Sequence, residues 1–145
     1  PQGTSFDPEA TLTRMKTRFD EYISQLDFEN GEYTFFFPPY SALYWNYARE
    51  AGNAETYLAF KAYAEGKLLE CKNVRVFDFQ NADFVTDLDN YKDYTHYAPE
   101  INDRMLGCFS SGEYLVTAPA EAEALAAKTD AQVTELLERY PQVPH

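Results

Sequence analysis

Basic residues are scarce in this chain. Twelve Lys and Arg stand against 24 Asp and Glu, a formal net charge of −12. A surface of that sign repels phosphate backbones and anionic lipid headgroups, so nucleic acid is not expected as a partner. The plain reading of the charge is solubility. Cysteine is scarce too, and neither Cys71 nor Cys108 sits in a Cys-x-x-Cys or near a histidine at ligand spacing. No zinc site is predicted, and no cofactor motif is found. Whether the two thiols pair is left open, because a disulfide is a matter of geometry. No run reaches the ~18 apolar residues of a membrane helix. No basic stretch leads into an apolar one as in a signal peptide. The chain begins Pro1-Gln2-Gly3 without methionine. That reads as a piece of a longer protein, whose targeting stays open.

Aromatic residues are abundant. Twelve Tyr and 11 Phe, in a chain 45% hydrophobic, are too many for a disordered segment. The 145 residues fit one domain, residues 1–145, able to bury about two-thirds of its unfolded surface.

Asp7-Pro8-Glu9 has the residues of a helix start, with a cap, a proline at the first position and an acid at the positive end of the dipole. Leu12, Met15, Phe19, Tyr22, Ile23 and Leu26 follow at helical spacing, and Asn30-Gly31 marks a stop. Tyr33-Thr34-Phe35-Phe36-Phe37 is a short continuous aromatic run. It reads as a strand covered on both faces and ended by Pro38-Pro39. Ser41 is placed to cap a short helix through Ala42, Leu43, Trp45 and Tyr47, ending near Gly52. Asn53 is placed to cap the next, with Tyr57, Leu58, Ala62 and Leu68 or Leu69 inward. Val74 to Phe79 reads as a second strand. An irregular segment from Gln80 to His96 follows, then a helix from Ala98-Pro99-Glu100 burying Ile101, Met105 and Leu106. Tyr114-Leu115-Val116-Thr117 is a weak third strand. The last helical stretch follows Pro119, with a second cap at Thr129 or Asp130, and turns Val133, Leu136, Leu137 and Tyr140 inward.

Alternation of this kind predicts an α/β fold, a three-layer α/β/α arrangement around a small, mostly parallel sheet. Open α/β sheets usually have about five strands. Two or three are found here, so further strands are expected from an N-terminal half or a partner chain.

In such sheets function gathers beyond the carboxyl ends of the strands. The segment after the second strand contains Asp93-Tyr94-Thr95-His96, an Asp-x-x-His. A carboxylate three residues ahead of an imidazole can accept a hydrogen bond from Nδ1. That fixes the tautomer and stabilises the imidazolium while Nε2 takes a proton from a nucleophile. Taken alone, the same four residues also describe a surface histidine beside a capping aspartate.

The strand, the Asp93-x-x-His96 and the following helix resemble the final block of the SGNH, or GDSL-like, hydrolase superfamily. The stretch Phe35-Phe36-Phe37-Pro38-Pro39-Tyr40-Ser41-Ala42-Leu43-Tyr44 looks like the penultimate strand of members tied to bacterial cell-surface polymer acylation, relatives of alginate acetylation proteins and of D-alanyl transfer proteins of Gram-positive walls. The resemblance covers Tyr33 to about Leu106. It implies a partial flavodoxin- or SGNH-like fold, with His96 as general base and Asp93 as its orienting carboxylate. It further implies an esterase or O-acyltransferase acting on an acylated glycan or polymer, outside the cell or in its envelope. The family nucleophile, a serine in a Gly-Asp-Ser block after the first strand, has no counterpart here. Gly3-Thr4-Ser5 follows no strand, and Ser41 lacks the flanking glycines of a nucleophile elbow. The chain is therefore expected to be the C-terminal portion of such an enzyme and inactive alone. A non-catalytic interaction or glycan-binding domain on the same scaffold is the alternative.

Other candidates have plainer readings. Asp83, Asp87, Asp89 and Asp93 lack the spacing of a Ca²⁺ loop and read as a solvated acidic segment. His145 is terminal. Tyr40, Tyr44, Tyr47, Tyr91, Tyr94 and Tyr97 flank the Asp-x-x-His and read as a core rim, or as a surface for sugar rings. Asn46 and Asn102 are polar residues without an assigned role.

Overall fold

The computed structural model describes residues 6–143. Ser5 and His145 lie outside the described residues. The elements run in the order α1 (Pro8–Ile23), β1 (Tyr33–Phe37), α2 (Ala42–Glu50), α3 (Ala54–Leu69), β2 (Val74–Asp78), α4 (Pro99–Ser111) and α5 (Ala122–Arg139). The protein is mixed α/β and mostly helical. Among the described residues the sheet has two strands, β1 and β2, paired in parallel with Tyr33 opposite Val74 and Phe37 opposite Asp78.

Local chemistry explains most boundaries. Asp7 Oδ1 accepts the Ala10 N–H at 3.0 Å, and Pro8 opens α1. Pro99 opens α4 in the same way. Gly112 ends α4 at φ 79°, a left-handed conformation that costs glycine nothing, and its N–H closes on the Cys108 carbonyl. The weak third strand is a single antiparallel bridge, Phe77 to Leu115, on the edge of β2 away from β1. The Asp78 N–H donates to Tyr114 O at 3.0 Å, and the Val116 N–H to Val76 O at 2.8 Å.

Two cores flank β2. Phe77 and Phe79 pack with Phe84, Val85, Ile101, Met105 and Cys108, and Phe109 meets Phe77 edge-on at 5.0 Å. Trp45, Ala48, Leu58, Leu125 and Val133 join α2, α3 and α5. The segment after β2 is not solvated loop throughout. Three short 3-10 turns, Phe79–Asn81, Asp83–Thr86 and Leu88–Asn90, bury Phe79, Gln80, Ala82, Phe84, Val85 and Thr86.

Several expectations fail, among them the caps at Ser41 and Asn53, whose side chains make no cap hydrogen bond. Leu106 is 61% exposed, and Cys108 takes the inward position, because 101, 105 and 108 follow one helical face while 106 does not. Tyr22 is likewise exposed, and no residue of α1 is fully buried. Helix α5 runs unbroken from Ala122, with Thr129 buried inside it and Asp130 on its outer face, so no second cap forms. Strand β1 is not covered on both faces. Thr34 and Phe36 stay exposed: Phe36 touches only the rims of Phe79 and Phe109, and no described strand pairs with the outer edge of β1.

Candidate functional site

The chain leaves both strands at the same end of the sheet, and the two exits are tied together. After β1, Pro38-Pro39 turn the backbone away and Ser41 leads into α2. After β2 and its 3-10 turns, the chain doubles back between Tyr91 and Tyr97, which form an antiparallel bridge. The Lys92 N–H donates to His96 O at 2.8 Å, and the Ala98 N–H to Asn90 O at 2.7 Å. The Tyr91 hydroxyl donates to Pro39 O at 2.7 Å. Ser41 donates twice to Tyr94 O, from its N–H at 3.1 Å and its hydroxyl at 2.8 Å. The loop that carries Asp93 and His96 is thus clipped to the exit of β1.

At the loop tip Asp93 folds its own turn. Its Oδ1 accepts the backbone N–H groups of Thr95 and His96, both at 2.8 Å. Its Oδ2 lies 2.7 Å from His96 Nδ1. The Thr95 N–H, the His96 N–H and the His96 ring, in that order, hold the Asp93 carboxyl well below the usual carboxylate range. Asp93 is therefore an anion at any physiological pH. With Asp93 as acceptor, the neutral imidazole keeps its proton on Nδ1 and leaves Nε2 a free acceptor. The side chains are 77% exposed for His96 and 42% for Asp93, so Nε2 can be approached from solvent. Among the described residues no hydroxyl or thiol is hydrogen-bonded to Nε2; the Thr95 hydroxyl lies 3.5 Å from Nδ1.

The structure thus brings Asp93 and His96 together and keeps Ser41 apart. Ser41 is fully buried, with its hydroxyl spent on Tyr94 O. Of the other aspartates, Asp83 pairs with Arg104 at 2.7 Å and accepts the Tyr114 hydroxyl, while Asp87 pairs with Arg139 at 3.0 Å and accepts the Tyr140 hydroxyl. They serve separate helices and do not converge. Asn46 is buried on α2, with Nδ2 donating to Glu50 at 3.1 Å, and Asn102 is exposed on α4.

Tyrosines surround the clip. Tyr44 stacks on Tyr94 with centroids 6.3 Å apart, Tyr47 meets Tyr94 edge-on at 5.7 Å, and Tyr40 sits 4.8 Å from Tyr44. Burial pushes the Tyr44 hydroxyl up to about 12, helped by Tyr57, Tyr40 and Tyr94, so it keeps its proton.

A second polar group escaped the sequence reading. Lys61 of α3 and Asp78 at the end of β2 form a buried ion pair, and Glu65, one helical turn past Lys61, is 1% exposed. Asp78 also accepts the Gln80 N–H at 3.1 Å and the Asn81 side-chain amide. Burial, then the Asp78 charge, push the Glu65 carboxyl up to about 7, against the pull of Lys61, the Ala120 N–H and Lys128. Glu65 Oε2 has no hydrogen-bond partner, and the residue borders a cavity of about 600 Å³ between β2 and α5. One signal could have found this group. Lys61 and Glu65 fall between Leu58 and Leu68 on a single helical stripe, so any fold that buries the leucines buries the charges.

Comparison of the chain with protein-family models, with curated proteins and with solved structures gave no match.

Proposed function

We propose that this chain is the C-terminal part of an SGNH-like esterase or O-acyltransferase that acts on an acylated cell-envelope glycan or polymer. In this reading it supplies the histidine and aspartate of a Ser-His-Asp triad. The observation that carries the reading is the 2.7 Å contact between Asp93 and His96 Nδ1, at the carboxyl end of the sheet, with Nε2 open to solvent. His96 removes the proton from a serine brought by the rest of the domain. The serine oxygen attacks the ester carbonyl and expels the alcohol, which takes the proton from His96. Water or a sugar hydroxyl then accepts the acyl group by the reverse of these steps. The serine belongs to a segment or partner that also adds strands to the open edge of β1 and completes a three-layer α/β/α sandwich. Two observations support that addition: the unpaired edge of β1 with Phe36 exposed, and a first helix that buries none of its residues fully.

The test is hydrolysis of a short-chain p-nitrophenyl ester by this chain, by the complete protein, and by the complete protein with His96→Ala. We expect no turnover by the chain alone, turnover by the complete protein, and a loss of roughly 10²–10⁴-fold on removing the base. A folded complete protein whose turnover is indifferent to His96 would overturn the reading and leave the interaction domain.

A further inference from the structure

Beside the dyad loop lies a groove of about 260 Å³, bordered by Tyr44, Tyr47, Asn53, Tyr57 and Tyr94. We infer that this groove is a subsite for one uncharged or N-acetylated pyranose ring. The inference rests on the reading above, since it names the sugar that this site would present to His96.

Four observations meet here. First, Tyr94 and Tyr47 are 46% and 39% exposed, although each is packed against another ring. A tyrosine offers a flat apolar face and a polar tip, which matches the C–H face and hydroxyl rim of a sugar. Second, the platform is held rigid. Both donors of Ser41 fix the Tyr94 carbonyl, and Tyr44 backs the Tyr94 ring, so little freedom is lost when a ligand lands. Third, Asn53 precedes α3 at the capping position yet makes no cap, and its Oδ1 has no partner. That oxygen is buried, but the side chain borders the groove, and an amide not spent on a helix end can pair with a ligand hydroxyl or carbonyl. Fourth, the volume is small. Pockets for drug-sized ligands run from roughly 300 Å³ upward, so this groove admits a single ring.

Charge decides which sugar. The chain carries a net −12, and among the described residues neither Lys nor Arg borders the groove. A uronate or phosphorylated sugar would meet repulsion without a counter-ion. Neutral and N-acetylated rings escape it. Tyr94 lies between Asp93 and His96 in the chain, so a ring held on Tyr94 rests on the same loop as the proposed base.

The experiment is an NMR titration of the ¹⁵N-labelled chain with methyl glycosides of glucose, mannose and N-acetylglucosamine, and with galacturonate as the anionic probe. We expect one or more neutral glycosides to shift the amides of Tyr47, Asn53 and Tyr94. We expect affinity to fall by about tenfold in Tyr47→Ala and in Asn53→Ala, with galacturonate giving no shift at these positions. Absence of localised shifts with every neutral glycoside overturns the inference, as do shifts that both variants retain or an equal response to galacturonate. The titration involves no ester chemistry. Binding in a complete protein that lacks esterase activity would sink the enzyme reading and leave the subsite, and the converse result would do the opposite.

Discussion

Lys61 Nζ lies 2.8 Å from one carboxylate oxygen of Asp78 and 2.7 Å from the other, and both side chains are buried. The pair bolts α3 to the end of β2, and the Lys61 ammonium also lies 5.3 Å from the Phe37 ring of β1. Removing one partner strands the other charge away from water. Lys61→Met should destabilise the chain by about 3–5 kcal/mol, measured by urea unfolding. Lys61→Met combined with Asp78→Leu should recover part of that loss. If the single substitution costs under about 1 kcal/mol, the ammonium reaches water by another route.

Glu65 gives stability a pH dependence of defined sign. Its folded value of about 7 lies above the ordinary 4.5, so the folded state holds a proton that the unfolded state releases between those values. The contribution is fully present below 4.5 and is lost as pH rises toward 7 and beyond. Glu65→Gln should flatten the slope between pH 5 and 8 and make the protein more stable than the parent at pH 8, by about 1–3 kcal/mol. Unfolding curves of parent and variant that run parallel across this range would refute it.

Ser41 is hydrogen-bonded to the dyad loop, and its hydroxyl is a structural strut. Ser41→Ala removes the bond to Tyr94 O but leaves the backbone N–H on the same carbonyl. A loss of about 0.5–1.5 kcal/mol is expected in thermal or urea unfolding. Ester turnover by the complete protein should fall far less than with His96→Ala. Equal losses would make Ser41 the nucleophile and revise the site.

The outer edge of β1 presents unpaired backbone groups beside Phe36, which is 44% exposed and touches Phe79 and Phe109. An open apolar edge is a template for pairing with another chain. Sedimentation of the chain at increasing concentration should show association, and Phe36→Lys should reduce it. A strictly monomeric parent at high concentration would mean that the edge is blocked.

The sequence carried the local rules well. Asp7-Pro8 and Pro99 opened helices, the aromatic run Tyr33–Phe37 formed a strand, and Asp93 reached His96, because each outcome depends on residues three or four positions apart. What it carried poorly depends on distant partners. Nothing within five residues of Phe36 says that one face of β1 would stay open. Nothing near Lys61 says that Asp78, 17 positions on, would neutralise it. The acidic segment misled for a related reason. Its aspartates suggested solvent, but Phe79, Phe84 and Val85 between them bury the backbone, while Arg104 of α4, Arg139 of α5 and the hydroxyls of Tyr114 and Tyr140, which follow those helices, satisfy Asp83 and Asp87. The groove beside Tyr94 was legible as a crowd of tyrosines, but Asn53, read as a helix cap, turned its oxygen elsewhere.

The clip between Ser41 and Tyr94 sets how the dyad responds to change elsewhere. Three hydrogen bonds from Tyr91 and Ser41 fasten the loop to residues that directly follow β1, while its own base is stitched between Asn90 and Ala98. A shift of β1, such as a new strand docking on its free edge would produce, carries the loop with it as a rigid passenger. The 3-10 turns Phe79–Asn81 and Asp83–Thr86 are packed in the core and make none of these bonds. Substitutions there can alter stability without re-aiming His96, whereas a change of one residue in the span from Pro38 to Ser41 re-aims it directly.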